Sequence, residues 1–131
     1  MTTAASIASD VRAKRTSAEA VARRTLDTLA SVEPKLKSYI SVFVDGPRSA
    51  IEQAKAIDAR IAKGEDVGPL AGVPIALKDN LCLDWGTTTC GSNMLRSYES
   101  PYTATAVRRL IDAGTVIVGK TNLDEYAMGS S

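Results

Sequence analysis

Apolar residues recur at steps of three and four positions through the first half of the chain, which is the spacing of a buried helix face. The pattern predicts a weak helix within residues 1–15 and a strong amphipathic helix that starts at Thr16 and ends before Pro34. Thr16 and Glu19 stand at the spacing of a capping box, in which each side chain accepts a hydrogen bond from a free amide of the first turn. A further amphipathic helix is predicted over residues 47–64.

Short runs of β-branched, aromatic or wholly apolar residues between these helices are typical of strands. Such runs occupy residues 39–44, 73–77 and 115–118. Between the last two runs the apolar spacing again becomes helical, with Thr103 or Thr105 as the predicted N-terminal cap.

The order of these elements predicts an α/β fold in which helices cover a mixed sheet. A chain of 131 residues is one domain or part of a larger one. We divide it into a helical lead-in over about residues 1–64 and a strand and loop region over about residues 65–131.

The charge composition adds little to this picture. Sixteen basic and fifteen acidic residues leave a net charge of +1, so no overall field favours nucleic acid or an anionic membrane. Residues 1–10 lack the features of a signal peptide, and no apolar run reaches the roughly 18–20 residues that span a bilayer. We therefore expect a cytoplasmic protein, with Cys82 and Cys90 as free thiols.

The absence of histidine restricts the chemistry that the chain can perform. Histidine is the commonest general base and the commonest metal ligand, so Ser-His-Asp and Cys-His schemes cannot be assembled within these residues. Acid and base steps are left to lysine, carboxylate or tyrosine side chains.

Lys78 is the strongest candidate for such a role. It ends the apolar run of residues 73–77 and is followed by Asp79 and Asn80, so polar groups emerge together where a strand ends. A lysine acts as a base only when neutral, which requires a pKa lowered from about 10.4 toward about 7 to 8 by burial or a nearby cation. The pattern leaves open whether Lys78 is such a base or a solvated or salt-bridged lysine.

The remaining candidates each have a simpler explanation. Gly119-Lys120-Thr121 ends like a phosphate-binding loop, but β-branched residues fill the segment that must present amides to phosphate. Asp124 and Glu125 are adjacent, and adjacent side chains point apart, which favours a helix start over a catalytic pair. Ser130 and Ser131 have no partner base, so they are interpreted as capping or loop residues.

Three runs of the sequence resemble the amidase signature family. They are residues 72–80 (GVPIALKDN), 88–92 (TTCGS) and 116–131 (VIVGKTNLDEYAMGSS). The last run is similar to one branch of that family, the A subunits of bacterial glutamyl-tRNA(Gln) amidotransferases. The resemblance is strong from Gly68 onward and weaker over the first helices.

The resemblance implies a Ser, cis-Ser, Lys triad in which the lysine deprotonates a bridging serine and that serine activates a nucleophilic serine. Lys78 matches the position of the lysine. The segments that carry the two serines in the family do not occur in residues 1–131, so we expect these residues alone to have no glutaminase activity. The Met-Gly-Ser stretch is similar to a wall of the substrate pocket, which makes Gly129 and Ser130 the expected substrate contacts.

The same resemblance implies the partners. Glutamine is the expected substrate, and the expected complex is a heterotrimer with B and C subunits, where Glu-tRNA(Gln) contacts mainly a partner. No cofactor is expected in this chain, because ATP and magnesium belong to a partner subunit. Two alternatives stay open, namely a stand-alone amidase that hydrolyses small amides and a non-catalytic binding piece.

Overall fold

The computed structural model describes residues 2–129, and it is a mixed α/β structure as the sequence predicted. The helices are α1 (Ala4–Arg12), α2 (Ala18–Leu36), α3 (Ala50–Ala62) and α4 (Thr105–Asp112). The strands are β1 (Tyr39–Val42), β2 (Pro74–Lys78) and β3 (Val116–Thr121). Single 3₁₀ turns at Asn93–Leu95 and Glu125–Ala127 complete the described elements.

The sheet has the order β1-β3-β2, with β3 in the centre. Strand β1 pairs antiparallel with β3 and β2 pairs parallel with it, so the sheet is mixed. Alternate side chains of a strand point to opposite faces. Val116 and Val118 accordingly belong to one core, whereas Ile117 belongs to another.

The first core lies between helices α1 to α3 and one face of β3. Its buried residues are mostly small and all apolar, which lets α2 and α3 approach each other closely. They include Val11, Ala18, Val21, Ala22, Ala50, Ala54, Ile57, Val116 and Val118. Helices α2 and α3 therefore form one layer over the sheet.

The second core lies on the opposite face of β3. Leu77 of β2, Leu83, Val107 of α4 and Ile117 are its buried apolar members. Since helices lie against both faces of β3, that strand is almost wholly buried. Strand β2 is more open than predicted, because Leu77 is its one buried residue and β3 is its one described partner.

The predicted start of α2 was wrong. Ser17 is the N-cap, and its hydroxyl accepts a hydrogen bond from the Ala20 amide at 3.0 Å. The carboxylate of Asp58, on α3, accepts from the amides of Ala18 and Glu19 at 2.8 and 3.0 Å. The free amides that a capping box would serve are thus bound by groups other than Thr16.

The predicted end of α2 was also wrong, because the helix contains Pro34 and continues to Leu36. Proline has no amide hydrogen, so the helix lacks one backbone hydrogen bond near its end. Lys37 then ends the helix in the left-handed region, at φ +52°, with its amide bonded to the Glu33 carbonyl.

Helix α4 begins without a side-chain cap, in contrast to the prediction. Ala104 is its N-cap residue. The Thr103 hydroxyl instead accepts a hydrogen bond from the Asp84 amide at 3.1 Å, and Thr105 is already inside the helix. Among residues 2–129, no helix is long and apolar enough to cross a membrane.

Candidate active site

Lys78 is the last residue of β2, and its side chain is exposed. Within residues 2–129 no carboxylate lies at ion-pair distance from its amine. The next residue, Asp79, is fully buried. The end of β2 therefore exposes one charged side chain, and the turn that follows it buries the next.

Asp79 forms a buried ion pair with Lys120 of β3. The Lys120 Nζ lies 2.9 Å from Asp79 Oδ1, and the two side chains are 0% and 1% exposed. The Oδ1 atom accepts no hydrogen bond of good geometry, so this contact is an ion pair. The Oδ2 atom accepts from the Thr89 amide at 2.9 Å and from the Thr89 hydroxyl at 2.5 Å.

Lys120 is fixed from the loop that precedes the 3₁₀ turn at Asn93–Leu95. Its Nζ donates to the Thr88 hydroxyl at 3.0 Å and lies 3.4 Å from the Thr87 carbonyl. The ammonium of Lys120 is thus held by these two oxygens and by its ion pair with Asp79. Lys120 is therefore a structural cation in the sheet interior, and the phosphate-loop interpretation of Gly119-Lys120-Thr121 is excluded.

Backbone hydrogen bonds join three segments beside Lys78. The Asp79 amide donates to the Thr121 carbonyl at 3.1 Å, and the Asp79 carbonyl accepts from the Cys90 amide at 3.0 Å. The Cys90 carbonyl in turn accepts from the Tyr126 amide at 2.8 Å. The end of β2, the small-residue loop and the segment that leads to Gly129 are thereby brought together.

The backbone is strained where these segments meet. Cys90, Tyr126 and Ala127 have φ values of +52°, +54° and +56°, in the left-handed region that L-residues rarely adopt. Gly91, at φ +67°, approaches so closely that a Cβ there would lie 2.7 Å from the Leu123 carbonyl oxygen. Such strain is concentrated at functional sites, where surrounding contacts maintain it.

A cleft of about 240 Å³ opens on the same loop. The Ser92 hydroxyl donates to Glu125 Oε1 at 2.5 Å and thereby holds the loop against the last described turn. The cleft is lined by Ile40, Thr89, Gly91, Ser92, Asn93, Arg96 and Asn122. Arg96 supplies its positive charge, and Arg96 also donates to Asn93 Oδ1 at 2.8 Å.

The structure describes two of the three predicted site residues. Lys78 is exposed at the end of β2, and Gly129 is exposed at the end of the described residues. Ser130 lies outside the described residues. The hydrogen bonds through Cys90 link the segments of Lys78 and Gly129, but residues 2–129 contain no contact that tests either role.

Sequence reasoning missed the pair of Asp79 and Lys120. A signal was present, because Lys120 follows the wholly apolar run of residues 116–118, and a lysine that extends such a strand needs a buried acidic partner. Its partner is 41 positions away in the chain, and no local pattern identifies it. Among residues 2–129 no cluster of three potential ligands for a metal ion occurs.

Comparison with known sequences identifies the family. The amidase family profile matches residues 20–131. The chain belongs to the amidase family. The A subunit of glutamyl-tRNA(Gln) amidotransferase from Synechococcus sp. (strain JA-3-3Ab) is 56% identical over 118 residues, which cover 90% of this chain and 23% of that protein. The A subunit of the same name from Acidothermus cellulolyticus is 50% identical and is matched over 98% of this chain and 25% of its own length.

Solved structures of amidases have the same fold over this part of their chains. The native peptide amidase of Stenotrophomonas maltophilia superimposes with a TM-score of 0.86 at 33% identity, over 95% of this chain and 25% of that one. The A subunit of glutamyl-tRNA(Gln) amidotransferase from Thermotoga maritima gives 0.68 at 38% identity, over 87% and 22%. The chain therefore spans about a quarter of the length of the relatives it matches.

Proposed function

We propose that this chain is the amino-terminal part of the glutamine-hydrolysing subunit of a glutamyl-tRNA(Gln) amidotransferase, with Lys78 as its general base. The observation that supports the proposal is the position of Lys78. Its side chain is exposed, and the next residue, Asp79, is hydrogen-bonded where three segments of the chain meet. The relatives that are 56% and 50% identical support the choice of this branch of the amidase family.

In the proposed mechanism, neutral Lys78 accepts the proton of a bridging serine, and that serine accepts the proton of the nucleophilic serine. The nucleophile forms a bond to the amide carbon of glutamine. The C–N bond then breaks, and the protons return through the same groups so that ammonia leaves. Water hydrolyses the acyl-enzyme to glutamate, with Lys78 again accepting a proton.

This role requires more than residues 2–129 supply. A lysine base must be desolvated or placed beside another cation, and Lys78 is exposed in the described residues. We infer that the remaining three quarters of a protein of the relatives' length cover Lys78 and provide the two serines. Burial of the Lys78 amine by those residues would remove it from water and so favour its neutral form, which can act as a base.

The segment that ends at Gly129 and Ser130 would form a wall of the glutamine pocket. Its support is the hydrogen bond from Tyr126 to Cys90, which places this segment beside the loop next to Lys78. Under the same proposal, B and C subunits complete a heterotrimer and a partner holds ATP, magnesium and most of the Glu-tRNA(Gln). The cytoplasm is the compartment in which such a complex would act.

The test is ammonia release from glutamine by the complete translation product, purified with the proteins that accompany it. Lys78→Ala is expected to lower kcat by about 10²- to 10⁴-fold, the contribution of a positioned general base. Lys63→Ala is the matched control, because Lys63 is another exposed lysine that lies at the end of α3. Residues 1–131 alone are expected to release no ammonia.

The proposal fails if Lys78→Ala and Lys63→Ala have the same activity. That result would favour the non-catalytic alternative, in which the exposed Lys78 is an ordinary surface lysine. Ammonia release by residues 1–131 alone would contradict the assignment of both serines to other segments.

A stand-alone amidase is the second candidate function. It is favoured by the superpositions, because the peptide amidase matches with a TM-score of 0.86 and the amidotransferase protein with 0.68. The two candidates differ in substrate and assembly. Faster hydrolysis of a peptide amide than of glutamine, by a protein that purifies without companion subunits, would favour this candidate.

A further inference from the structure

The buried pair of Asp79 and Lys120 has no part in the proton transfers proposed above. It lies in the sheet interior, where the two side chains are 1% and 0% exposed. A buried ion pair is often no more stabilising than an apolar pair of the same volume, because desolvation offsets the attraction. Its directional contacts do, however, fix a single arrangement of the groups that carry it.

Asp79 is bonded to two other segments, β3 and the loop over residues 87–92. Its amide binds Thr121 of β3, its carbonyl binds Cys90, and its carboxylate binds Lys120 and Thr89. Every one of these contacts also restrains the residue that precedes Asp79 in the chain. Because its backbone bonds hold Asp79, they also hold the peptide bond that joins it to Lys78, and with it the direction in which the Lys78 side chain leaves the end of β2.

We propose that Asp79, held by Lys120, is the positioning residue for Lys78, and this proposal rests on the proposed function. The pair anchors the end of β2 to the loop over residues 87–92. The side chain of Lys78 therefore extends from a backbone that is held in one position. We expect this to place its amine consistently relative to the two serines. Small displacements of a reacting group can lower a rate by about 100-fold, so such an anchor has a measurable effect.

The test uses Asp79→Asn in the complete translation product. Asparagine keeps an oxygen that accepts from Thr89 but loses the charge opposite Lys120. We expect kcat for glutamine hydrolysis to fall about 10- to 100-fold, with KM nearly unchanged, when the rate is expressed per folded molecule. The folded fraction is measured by circular dichroism and thermal unfolding.

Ile57→Ala is the matched control for lost stability. Ile57 is buried in the first core, on α3, whereas Leu77 near the end of β2 belongs to the second core. It is expected to lower the melting temperature and to leave kcat per folded molecule unchanged. If Asp79→Asn behaves in the same way, the pair serves stability alone and the proposal is overturned.

A double variant keeps the test decisive if Asp79→Asn does not fold. Asp79→Asn with Lys120→Met removes both charges at similar volume, and such replacements are often neutral for stability. We expect a folded protein with a low kcat. Recovery of kcat together with stability would overturn the proposal, and so would failure of the double variant to fold, since the pair would then be a requirement of the fold.

The outcomes separate this proposal from the proposed function. Lys78→Ala with unchanged activity contradicts the proposed function itself. Loss of activity in Lys78→Ala, combined with wild-type kcat in folded Asp79→Asn, contradicts only the positioning role.

Discussion

The two cores on either side of β3 are built from different kinds of residue. The first, under α2 and α3, consists of small and branched apolar side chains such as Ala18, Ala54 and Ile57. The second contains Leu77 and Ile117, and residues next to it in the chain include buried polar groups. Those groups are Asp79, Thr88, Thr89, Ser92 and Lys120.

This difference decides how strictly each region fixes the positions of its groups. Apolar packing is non-directional, so the first core tolerates adjustment of its side chains. The ion pair and the threonine contacts act along defined directions, so the second region holds loops and strand ends in one arrangement. The candidate site lies in the second region, where position matters most.

The largest expected loss of stability comes from breaking the buried ion pair of Asp79 and Lys120. Lys120→Met leaves Asp79 with an unpaired buried charge, and removing one partner of such a pair costs about 3 to 5 kcal/mol. The free energy of unfolding, measured in urea on the purified chain, checks this value.

Ile57→Ala provides the comparison from the first core. Truncation of a buried isoleucine costs about 2 to 5 kcal/mol, and we expect the lower half of that range because Ile57 is still 7% exposed. Lys120→Met should therefore be the less stable variant at neutral pH. An unfolding free energy equal to that of the wild type would show that Asp79 is not an unpaired charge in the variant.

The first core was largely predictable from the sequence, because helical periodicity reports which faces are buried. The spacing identified α2 and α3, and the apolar runs identified all of the described strands. The second region was predictable only in part. The position of Lys78 at a strand end was predicted. The partner of Lys120 was not, because an ion pair between residues 79 and 120 produces no regular spacing in the sequence.

Helix ends show the same limit within the first region. The pattern at Thr16 and Glu19 matched a local capping rule, but the amides of the first turn are bound by Ser17 and by Asp58 of another helix. Glu19 instead pairs with Arg23 at 2.6 Å. A local rule cannot anticipate a carboxylate that tertiary packing brings from about forty residues away.

Removal of the Asp58 carboxylate should lower the free energy of unfolding by an intermediate amount. Asp58→Ala leaves the amides of Ala18 and Glu19 without a protein acceptor, and it removes a negative charge from the positive end of the α2 dipole. We expect a loss of about 1 to 2 kcal/mol in the free energy of unfolding, as for other N-terminal caps. Chemical denaturation of the purified chain measures it.

Ser17→Ala is the control, since it removes one cap and leaves the Asp58 contacts intact. Ser17→Ala should lower the free energy of unfolding by less than Asp58→Ala does. The reverse order would mean that the local cap, not the carboxylate from α3, determines where α2 begins.

The smallest expected effect on stability comes from Glu33, at the other end of α2, and it depends on pH. The Glu33 carboxylate accepts from the Ser38 hydroxyl at 2.6 Å and from the Tyr39 amide at 2.7 Å. The Ser38 hydroxyl first, and then the Tyr39 amide, hold the pKa of Glu33 below its ordinary value. The contact joins the end of α2 to the start of β1.

A lowered pKa in the folded state means that the unfolded chain binds the proton first as the pH falls. The stabilisation by Glu33 is therefore complete above its unfolded pKa and is lost as the pH falls through its folded pKa. Glu33→Gln should be less stable than the wild type at neutral pH, and the difference should disappear in acid.

Urea unfolding of both chains at a series of pH values between about 7 and 3 gives this difference directly, and subtraction removes the titration of the other carboxylates. Ser38→Ala is the matched variant, because it removes the leading cause of the pKa shift and keeps the carboxylate. Its stability should depend on pH less steeply than that of the wild type. A difference between Glu33→Gln and the wild type that stays constant across the series would mean that the contact acts through packing of the side chain, without linkage to its ionisation.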